Sequence, residues 1–274
     1  MQAVEADGKW WGRKVLVTGG AGFIGINLCK ELAMRGAEVT AVDDFSAHSL
    51  IERETVKREL AVYGVELRVC PMLDLIGTPG KWDVWFNLAC RKKNAGGLVS
   101  FSNYMREHVL NLDLLVKDLV LNERVSTIVY ASTGSVWEGH FMDDLVICGA
   151  ELPSPLSDYA ISKLAGERVM RRMASKVPVK VLRLFNVVGP WQDYGEHGGF
   201  LARWCWHAYK GLALPIYGDG SQVRTLTWVG DVVDAMIAAA DDSNVLTTNV
   251  ASGNWASLWQ VAEHIRTLCA ERLS

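Results

Sequence analysis

The chain has 274 residues, of which 50% are hydrophobic and 22% charged, and its net charge at pH 7 is -3. This length and apolar content are enough for one large domain, alone or with a small appendage. The near-neutral balance argues against a nucleic-acid partner, which requires a basic surface, and no apolar run is long enough for a membrane span. Residues 1–14 mix acidic and basic side chains and lack the basic start and apolar centre of a secretory signal.

The six cysteines are scattered without a CxxC pair, and the six histidines do not cluster with them. Scattered cysteines in apolar surroundings indicate reduced, buried thiols, so we expect a cytoplasmic protein. A zinc site needs clustered ligands, so we expect no metal.

Strand and helix patterns alternate along the first two thirds of the chain. Short β-branched runs predict strands at 13–18, 37–44, 65–70, 82–89, 125–133 and 179–187. Helical patterns occupy 23–35, 50–63, 103–122 and 158–175. This alternation predicts an α/β fold, a Rossmann-type doubly wound parallel sheet.

The last third is less regular. Helices are expected at 200–210, 231–241 and 256–270, with short strand-like pieces in 214–231. Because no linker or low-complexity tract separates the two parts, we expect a Rossmann domain over 1–186 and a smaller region over 187–274 that is interwoven with it.

The stretch VLVTGGAGFIGINLC, residues 15–29, spaces three glycines at positions 19, 22 and 25. By itself such a triplet is also compatible with a tight turn. Here it follows a predicted strand and opens a predicted helix, which is the arrangement that lets backbone N–H groups and a helix N-terminus face a pyrophosphate. The loop therefore predicts a dinucleotide-binding site.

The second strand ends in Asp43, 18 residues beyond the last glycine of the loop, where a carboxylate can accept hydrogen bonds from ribose hydroxyls. A carboxylate there repels a 2′-phosphate, so NAD is favoured over NADP. Asp44 is positioned to share or take this role, and a solvated turn is the structural alternative for both. Asp74 and Leu75, after the third strand, are weaker candidates to flank the adenine.

Tyr159 and Lys163 lie four residues apart on a predicted helix and therefore share a face. A lysine ammonium near a phenol lowers its pKa, which suits a general base. Thr133 follows the fifth strand, at the edge where parallel sheets bind ligands, and could hold a substrate oxygen near Tyr159. The structural alternatives are a helix-surface pair and a turn threonine.

Taken together, these motifs resemble the extended short-chain dehydrogenase/reductase family, the NAD-dependent nucleotide-sugar epimerases and dehydratases, and within it the UDP-glucose 4-epimerase-like members. The matching stretches cover nearly the whole chain: TGGAGFIG, VDDFS, DVWFNLAC, YASTGSVWE, SDYAISKLAGE, VLRLFNVVGP, PIYGDGSQVRTLTWVGDVVDA and NVASGN.

The resemblance implies a role for each matching position. Catalysis would belong to Thr133, Tyr159 and Lys163. NAD would be held by Tyr159 and Lys163 together with Gly19, Gly22, Phe23, Ile24, Gly25, Asp43, Asp44, Asp74, Leu75, Leu88 and Ala89. The nucleotide diphosphate sugar would contact Thr133, Asn186, Arg224 and Lys92, since a guanidinium binds phosphate oxygens bidentately.

Dehydratases of the family carry an Asp-Glu pair directly after the catalytic threonine, and the decarboxylases carry a Glu at the second position. This chain has Gly134 and Ser135 there. Neither exchanges a proton usefully at neutral pH, so the resemblance favours C4 epimerisation through a 4-keto intermediate. The alternatives are a dehydratase or reductase of the same family and a catalytically impaired NAD-binding scaffold.

Several positions depart from the family pattern around the nicotinamide and sugar pocket: Asn87, the RKKN stretch at 91–94, His108, Trp137 and Val188. Typical members also continue further at the C-terminus, so the substrate-binding region is expected to be abbreviated. By family analogy, we expect a homodimer formed through the helices near 103–122 and 158–175.

Overall fold

The computed structural model describes residues 8–46, 50–90, 100–143, 152–195, 198–244 and 246–273. Strands β1–β11 span Lys14–Thr18, Glu38–Asp43, Glu66–Val69, Trp82–Asn87, Val125–Thr133, Val179–Leu184, Val187–Val188, Val223–Thr225, Thr227–Trp228, Thr247–Val250 and Trp255–Ser257. Helices α1–α8 span Phe23–Met34, Arg53–Val62, Phe101–Met105, Leu112–Leu121, Asp158–Arg171, Phe200–Tyr209, Val229–Asp241 and Leu258–Leu273. Met72–Leu75 and Gly134–Asp143 form 3-10 helices, and the π-helical segment Arg106–Asn111 joins α3 to α4.

Seven strands form one parallel sheet in the order β3-β2-β1-β4-β5-β6-β10. This arrangement confirms the predicted Rossmann-type fold. The strand order reverses between β1 and β4, and a doubly wound sheet binds its ligands at the carboxyl ends of the strands beside such a point.

Helices cover both faces of the sheet. On one face, α1, α2 and α7 pack against a buried cluster that includes Val15, Val17, Val84 and Phe86. On the other face, α4 and α5 pack against Leu16, Trp85, Ile128 and Val181. This double burial explains why the central strands are continuous apolar runs.

Residues beyond 186 contribute to both parts of the molecule. Helix α7 packs on α1, and β10 pairs with β6 at the edge of the large sheet. Helices α6 and α8 enclose a separate small core of Trp204, Val261, Ala262 and Ile265. Strands β8 and β11 form an antiparallel pair beside it. We call α6, β8, β11 and α8 the small lobe. Within the described ranges, no helix is both long and apolar enough to cross a bilayer.

Some predicted elements differ from the observed ones. Strand β10 was not predicted, because TTNV is a half-exposed edge strand without an apolar run. The predicted strand 179–187 ends at Leu184, since Asn186 turns the chain with φ +35°. The predicted helix 256–270 begins at Leu258, because the three residues before it pair with β8.

Candidate active site

The loop between β1 and α1 is packed so closely that it excludes side chains. Gly19 has φ +77°, and a Cβ atom there would lie 2.6 Å from the backbone of Leu88 and Ala89. A Cβ atom at Gly25 would overlap the backbone oxygen of Gly19. Gly22 is the N-cap of α1 and leaves the helix N-terminus open. The loop is therefore shaped as a cradle for an anionic group.

Asp43 stands directly beside this cradle. Its carboxylate accepts hydrogen bonds from the Ala21 N–H at 3.2 Å and from the Phe45 N–H at 2.8 Å. Asp44 is exposed and accepts only the Ser46 N–H among the hydrogen bonds of the described residues. The structure thus distinguishes the two neighbours, because only Asp43 contacts the glycine loop.

Asn87 supplies a second sign that the crevice holds a ligand. It ends β4, between Thr18 of β1 and Tyr130 of β5, and is 1% exposed. Its side-chain nitrogen is buried and has no hydrogen-bond partner among the described residues. Since buried amides are normally satisfied, this one is suited to a bound polar group or an ordered water. The open cradle and this amide fit a dinucleotide.

The other expected cofactor residues lie at the same edge of the sheet, with differing exposure. Phe23 and Ile24 open α1 and are half-buried against the core. Asp74 is exposed in the 3-10 helix after β3, whereas Leu75 is buried in the core.

Thr133, Tyr159 and Lys163 converge where β5 ends. Thr133 is the last residue of β5, and its hydroxyl accepts the Ser135 N–H at 3.1 Å. Tyr159 and Lys163 lie one turn apart on α5. The Lys163 ammonium is 2% exposed and lies 4.3 Å from the ring centroid of Tyr130. In the described part of the chain it is not hydrogen-bonded to Tyr159.

The electrostatics around Tyr159 differ from the expectation. Burial raises the pKa of the Tyr159 phenol well above its usual value, Cys90 raises it further, and Thr133 acts in the opposite direction. Burial lowers the pKa of Lys163, but Tyr130, Cys90 and Glu167 outweigh that effect, and its pKa is raised overall. The expected lowering of the phenol pKa by Lys163 is therefore outweighed, and the pKa of Tyr159 is raised. Lys163 remains a cation and Tyr159 a neutral phenol.

Behind Tyr159 lies a hydrogen-bonded loop of side chains that the sequence did not predict. Cys90 Sγ lies 3.8 Å from Tyr159 Oη and 3.4 Å from His108 Nε2. His108 Nδ1 lies 2.9 Å from Ser162 Oγ, which donates to the Tyr159 carbonyl at 2.8 Å. The only signals in the sequence were that Cys90 follows β4 at the ligand-binding edge and that His108 departs from the family pattern.

A buried ionic cluster connects the elements that carry the candidate catalytic residues. Glu167, two turns after Tyr159, accepts hydrogen bonds from Ser132 Oγ at 2.7 Å and from Arg183 Nε and Nη2 at 2.9 and 2.8 Å. All three side chains are less than 9% exposed. Ser132 directly precedes Thr133, so this cluster fixes the end of β5 relative to α5.

The two positions after Thr133 carry no acid, as the sequence shows. Nearby, Glu138 accepts hydrogen bonds from the Leu156 N–H at 3.2 Å and from the Ser157 N–H at 2.7 Å. It also accepts from the Ser157 hydroxyl at 3.0 Å. This carboxylate therefore holds the start of α5.

Apart from Thr133, the two expected substrate residues that the structure describes lie on different elements. Asn186 is exposed in the turn after β6, and its carbonyl accepts the Thr227 N–H. Arg224 is exposed on β8, and its guanidinium donates to the Val223 carbonyl at 2.8 Å. Lys92 lies outside the described residues.

This chain belongs to the NAD dependent epimerase/dehydratase family, whose model matches residues 15–251. The match confirms the resemblance that the motifs carry. NAD is accordingly the cofactor class of the protein, in agreement with the glycine cradle.

Individual relatives differ in the reaction that they catalyse. A UDP-N-acetyl-α-D-glucosaminuronate decarboxylase from Bacillus cytotoxicus is 31% identical, over 93% of this chain and 80% of its own length. A dTDP-L-rhamnose 4-epimerase from Burkholderia thailandensis is 28% identical, with the same two coverages of 93% and 80%. An NAD-dependent NDP-hexosamine 5,6-dehydratase of tunicamycin biosynthesis has a TM-score of 0.75 at 29% identity, covering 95% of this chain and 81% of that one. The family is thus established, and its members include more than one chemistry.

Proposed function

We propose that this protein is an NAD-dependent nucleotide-sugar epimerase that inverts C4 through a 4-keto intermediate. The observation that carries the proposal is the convergence of Thr133, Tyr159 and Lys163, combined with the absence of an acid at Gly134 and Ser135. Such a site can exchange a proton with one sugar hydroxyl. It has no second acid or base at those positions to eliminate water from the ring.

Each residue of the site has a distinct part in this reaction. NAD, when bound, supplies the hydride acceptor for C4 and returns the hydride later. Thr133 holds the C4 oxygen, and Tyr159 takes the hydroxyl proton as a phenolate. Lys163 is a buried cation that favours this phenolate once the ligands are in place. Tyr159 then returns the proton when the 4-keto sugar has turned over, so the reaction has no net redox change.

Binding is assigned to two groups of residues. The cradle of Gly19, Gly22 and Gly25 would hold the pyrophosphate of NAD, with Asp43 on the adenosine ribose. The remaining expected contacts to NAD are Phe23, Ile24, Asp44, Asp74, Leu75, Leu88 and Ala89. Asn186, Arg224 and Lys92 would hold the nucleotide diphosphate of the sugar, where a guanidinium suits the phosphate oxygens.

A panel of UDP-, GDP- and dTDP-sugars, incubated with the protein and NAD and followed by NMR, tests the proposal. We expect a product with an inverted C4 centre and no net change in NADH. A 4-keto-6-deoxy or decarboxylated product would replace the epimerase assignment with one of the other family reactions. Retained NAD without turnover of any sugar would indicate an impaired scaffold.

Asp43→Asn should weaken NAD binding by about 10- to 100-fold, because hydrogen bonds to a charged acceptor contribute about 1.5–3 kcal/mol. It should also reduce the preference for NAD over NADP, since the charge that repels a 2′-phosphate is lost. Calorimetric titration with both dinucleotides measures the two effects. Asp44→Asn is the matched control, and equal losses in the two variants would contradict the assignment to Asp43.

The quaternary structure and compartment are also proposals. Leu110, Leu114 and Leu121 are 60, 53 and 56% exposed along the segment from the π-helix to the end of α4. Such an apolar surface favours a homodimer through this segment and α5. A single monomeric species in light scattering at working concentration would contradict it. Five described cysteines are free thiols, which suits the cytoplasm.

A further inference from the structure

The hydrogen bonds behind Tyr159 join Ser162, His108 and Cys90. Each can be given a donor and an acceptor by working outward from the Ser162 hydroxyl. The Ser162 hydroxyl donates to the Tyr159 carbonyl, so it meets His108 Nδ1 as an acceptor. Burial, and then Lys163, lower the pKa of His108 to about 3, so its imidazole is neutral at pH 7. A neutral imidazole has one N–H, and here that N–H is on Nδ1. Nε2 therefore faces Cys90 as a bare acceptor.

This tautomer determines what Cys90 offers to Tyr159. The single S–H proton points to His108 Nε2, at the shorter distance of 3.4 Å. The sulfur then faces the phenol at 3.8 Å with its lone pairs. The phenol O–H donates to it, and a hydrogen bond that uses the phenol proton stabilises the protonated phenol. His108 is 4% exposed and Ser162 is fully buried, so the arrangement is held rigidly.

We propose that Cys90 and His108 are positioning residues that stabilise the protonated form of Tyr159, with its O–H aimed at the sulfur. When this phenol ionises, its proton passes to water, and the resulting phenolate can then accept the proton of a sugar hydroxyl. His108 acts only through Cys90, by keeping the S–H proton away from the phenol oxygen. This inference rests on the proposed function for its kinetic consequence. Its structural content, the hydrogen bond from Tyr159 to Cys90, is testable without a sugar.

The other titratable groups around the phenol do not replace this contact. They lie on four elements: Tyr104 on α3 and His108 on the π-helical segment, each with its ring centroid 5.9 Å from that of Tyr159, Tyr130 on β5, and Lys163 on α5. The π-helical segment is what brings His108 to Cys90, because it shifts the residues of this stretch relative to a regular helix.

The test compares the ionisation of Tyr159 in the wild-type protein and in a set of variants, each with NAD bound. Tyrosinate absorbance is titrated against pH, and Tyr159→Phe gives the background to subtract. Cys90→Ala should move the Tyr159 transition to lower pH by about 0.5 to 1 unit, as expected for one lost hydrogen bond. Cys90→Ser should leave it near the wild-type position, because a hydroxyl can donate to His108 and still accept from the phenol.

His108→Phe should also move the transition to lower pH, because the freed S–H can turn toward the phenol oxygen. In the Cys90→Ala background the same change should have no further effect. Cys205→Ala, on an exposed position of α6, is the matched thiol control and should show no shift. If the wild-type protein converts a nucleotide sugar, the acid limb of kcat/KM should move in parallel with the absorbance titration.

An unchanged transition in a folded Cys90→Ala protein would overturn the proposal. So would equal shifts in Cys90→Ser and Cys90→Ala, which would point to packing alone. Absence of sugar turnover in the wild-type protein would refute the proposed function, and the absorbance titration would still decide the inference.

Discussion

Tyr159→Phe should reduce conversion of the nucleotide sugar by about 10²- to 10⁴-fold, the usual contribution of a positioned general acid or base. The substitution removes only the phenol oxygen, and the ring contacts with Tyr104 and His108 remain. NAD affinity should change little, because the glycine cradle lies on a different element. Conversion is measured by NMR and NAD binding by calorimetry on the same preparation.

Tyr130→Phe provides the matched control for this result. The Tyr130 hydroxyl is buried at β5, next to the Lys163 ammonium, which lies 4.3 Å from the centroid of the Tyr130 ring. Removing it keeps the aromatic face under the Lys163 ammonium, so most of the activity should remain. Full activity in Tyr159→Phe would show that another group exchanges the proton. Equal losses in both variants would point to a change in packing around Lys163.

The sequence predicted those parts of the fold that depend on local patterns. The predicted strands inside the sheet, β1, β2, β4, β5 and β6, are largely apolar because helices cover both faces. The spacing of Gly19, Gly22 and Gly25 follows from close backbone contacts at this turn: a Cβ atom at Gly19 would meet Leu88 and Ala89, and one at Gly22 or Gly25 would meet Gly19. Both features leave a signature within about 15 residues of sequence, which is the window that periodicity can detect.

Features that depend on distant contacts were not predictable in this way. Strand β10 forms because its backbone pairs with β6 at the edge of the sheet. The π-helical segment at His108 has no periodicity of its own. Lys163 shares a face with Tyr159, as its spacing predicts, yet its ammonium lies against Tyr130, which is 33 positions earlier in the chain. The spacing along a helix predicts which side of the helix a side chain occupies. The residue that it contacts there depends on the neighbouring strand, which here is β5.

The acidic and non-acidic positions near Thr133 also differ in how far the sequence could predict their roles. Gly134 and Ser135 could be read from the sequence, because the resemblance assigns roles to those positions. The part played by Glu167 could not, since its partners Arg183 and Ser132 come from two strands. Their contacts nevertheless fix the end of β5, where Thr133 stands, against the helix that carries Tyr159.

Glu167→Gln should lower the free energy of unfolding by about 3–5 kcal/mol, because breaking a buried ion pair leaves an uncompensated charge inside the protein. Arg183 is the group left behind: its side chain is 8% exposed, and its guanidinium loses a bidentate carboxylate. Stacking of Arg183 on the Trp137 ring, 4.8 Å away, does not neutralise the charge. Urea unfolding of the two proteins measures the difference.

Two further variants separate the buried pair from ordinary surface electrostatics. Arg171 also reaches Glu167, at 3.2 Å, but its side chain is 49% exposed. Arg171→Gln should therefore cost less than about 1 kcal/mol, as for other exposed ion pairs. Replacing both partners, Glu167→Met with Arg183→Met, should recover most of the stability, because no buried charge remains. If the double variant is as stable as the wild type yet converts sugar more slowly, the ion pair acts chiefly in placing Thr133 against Tyr159.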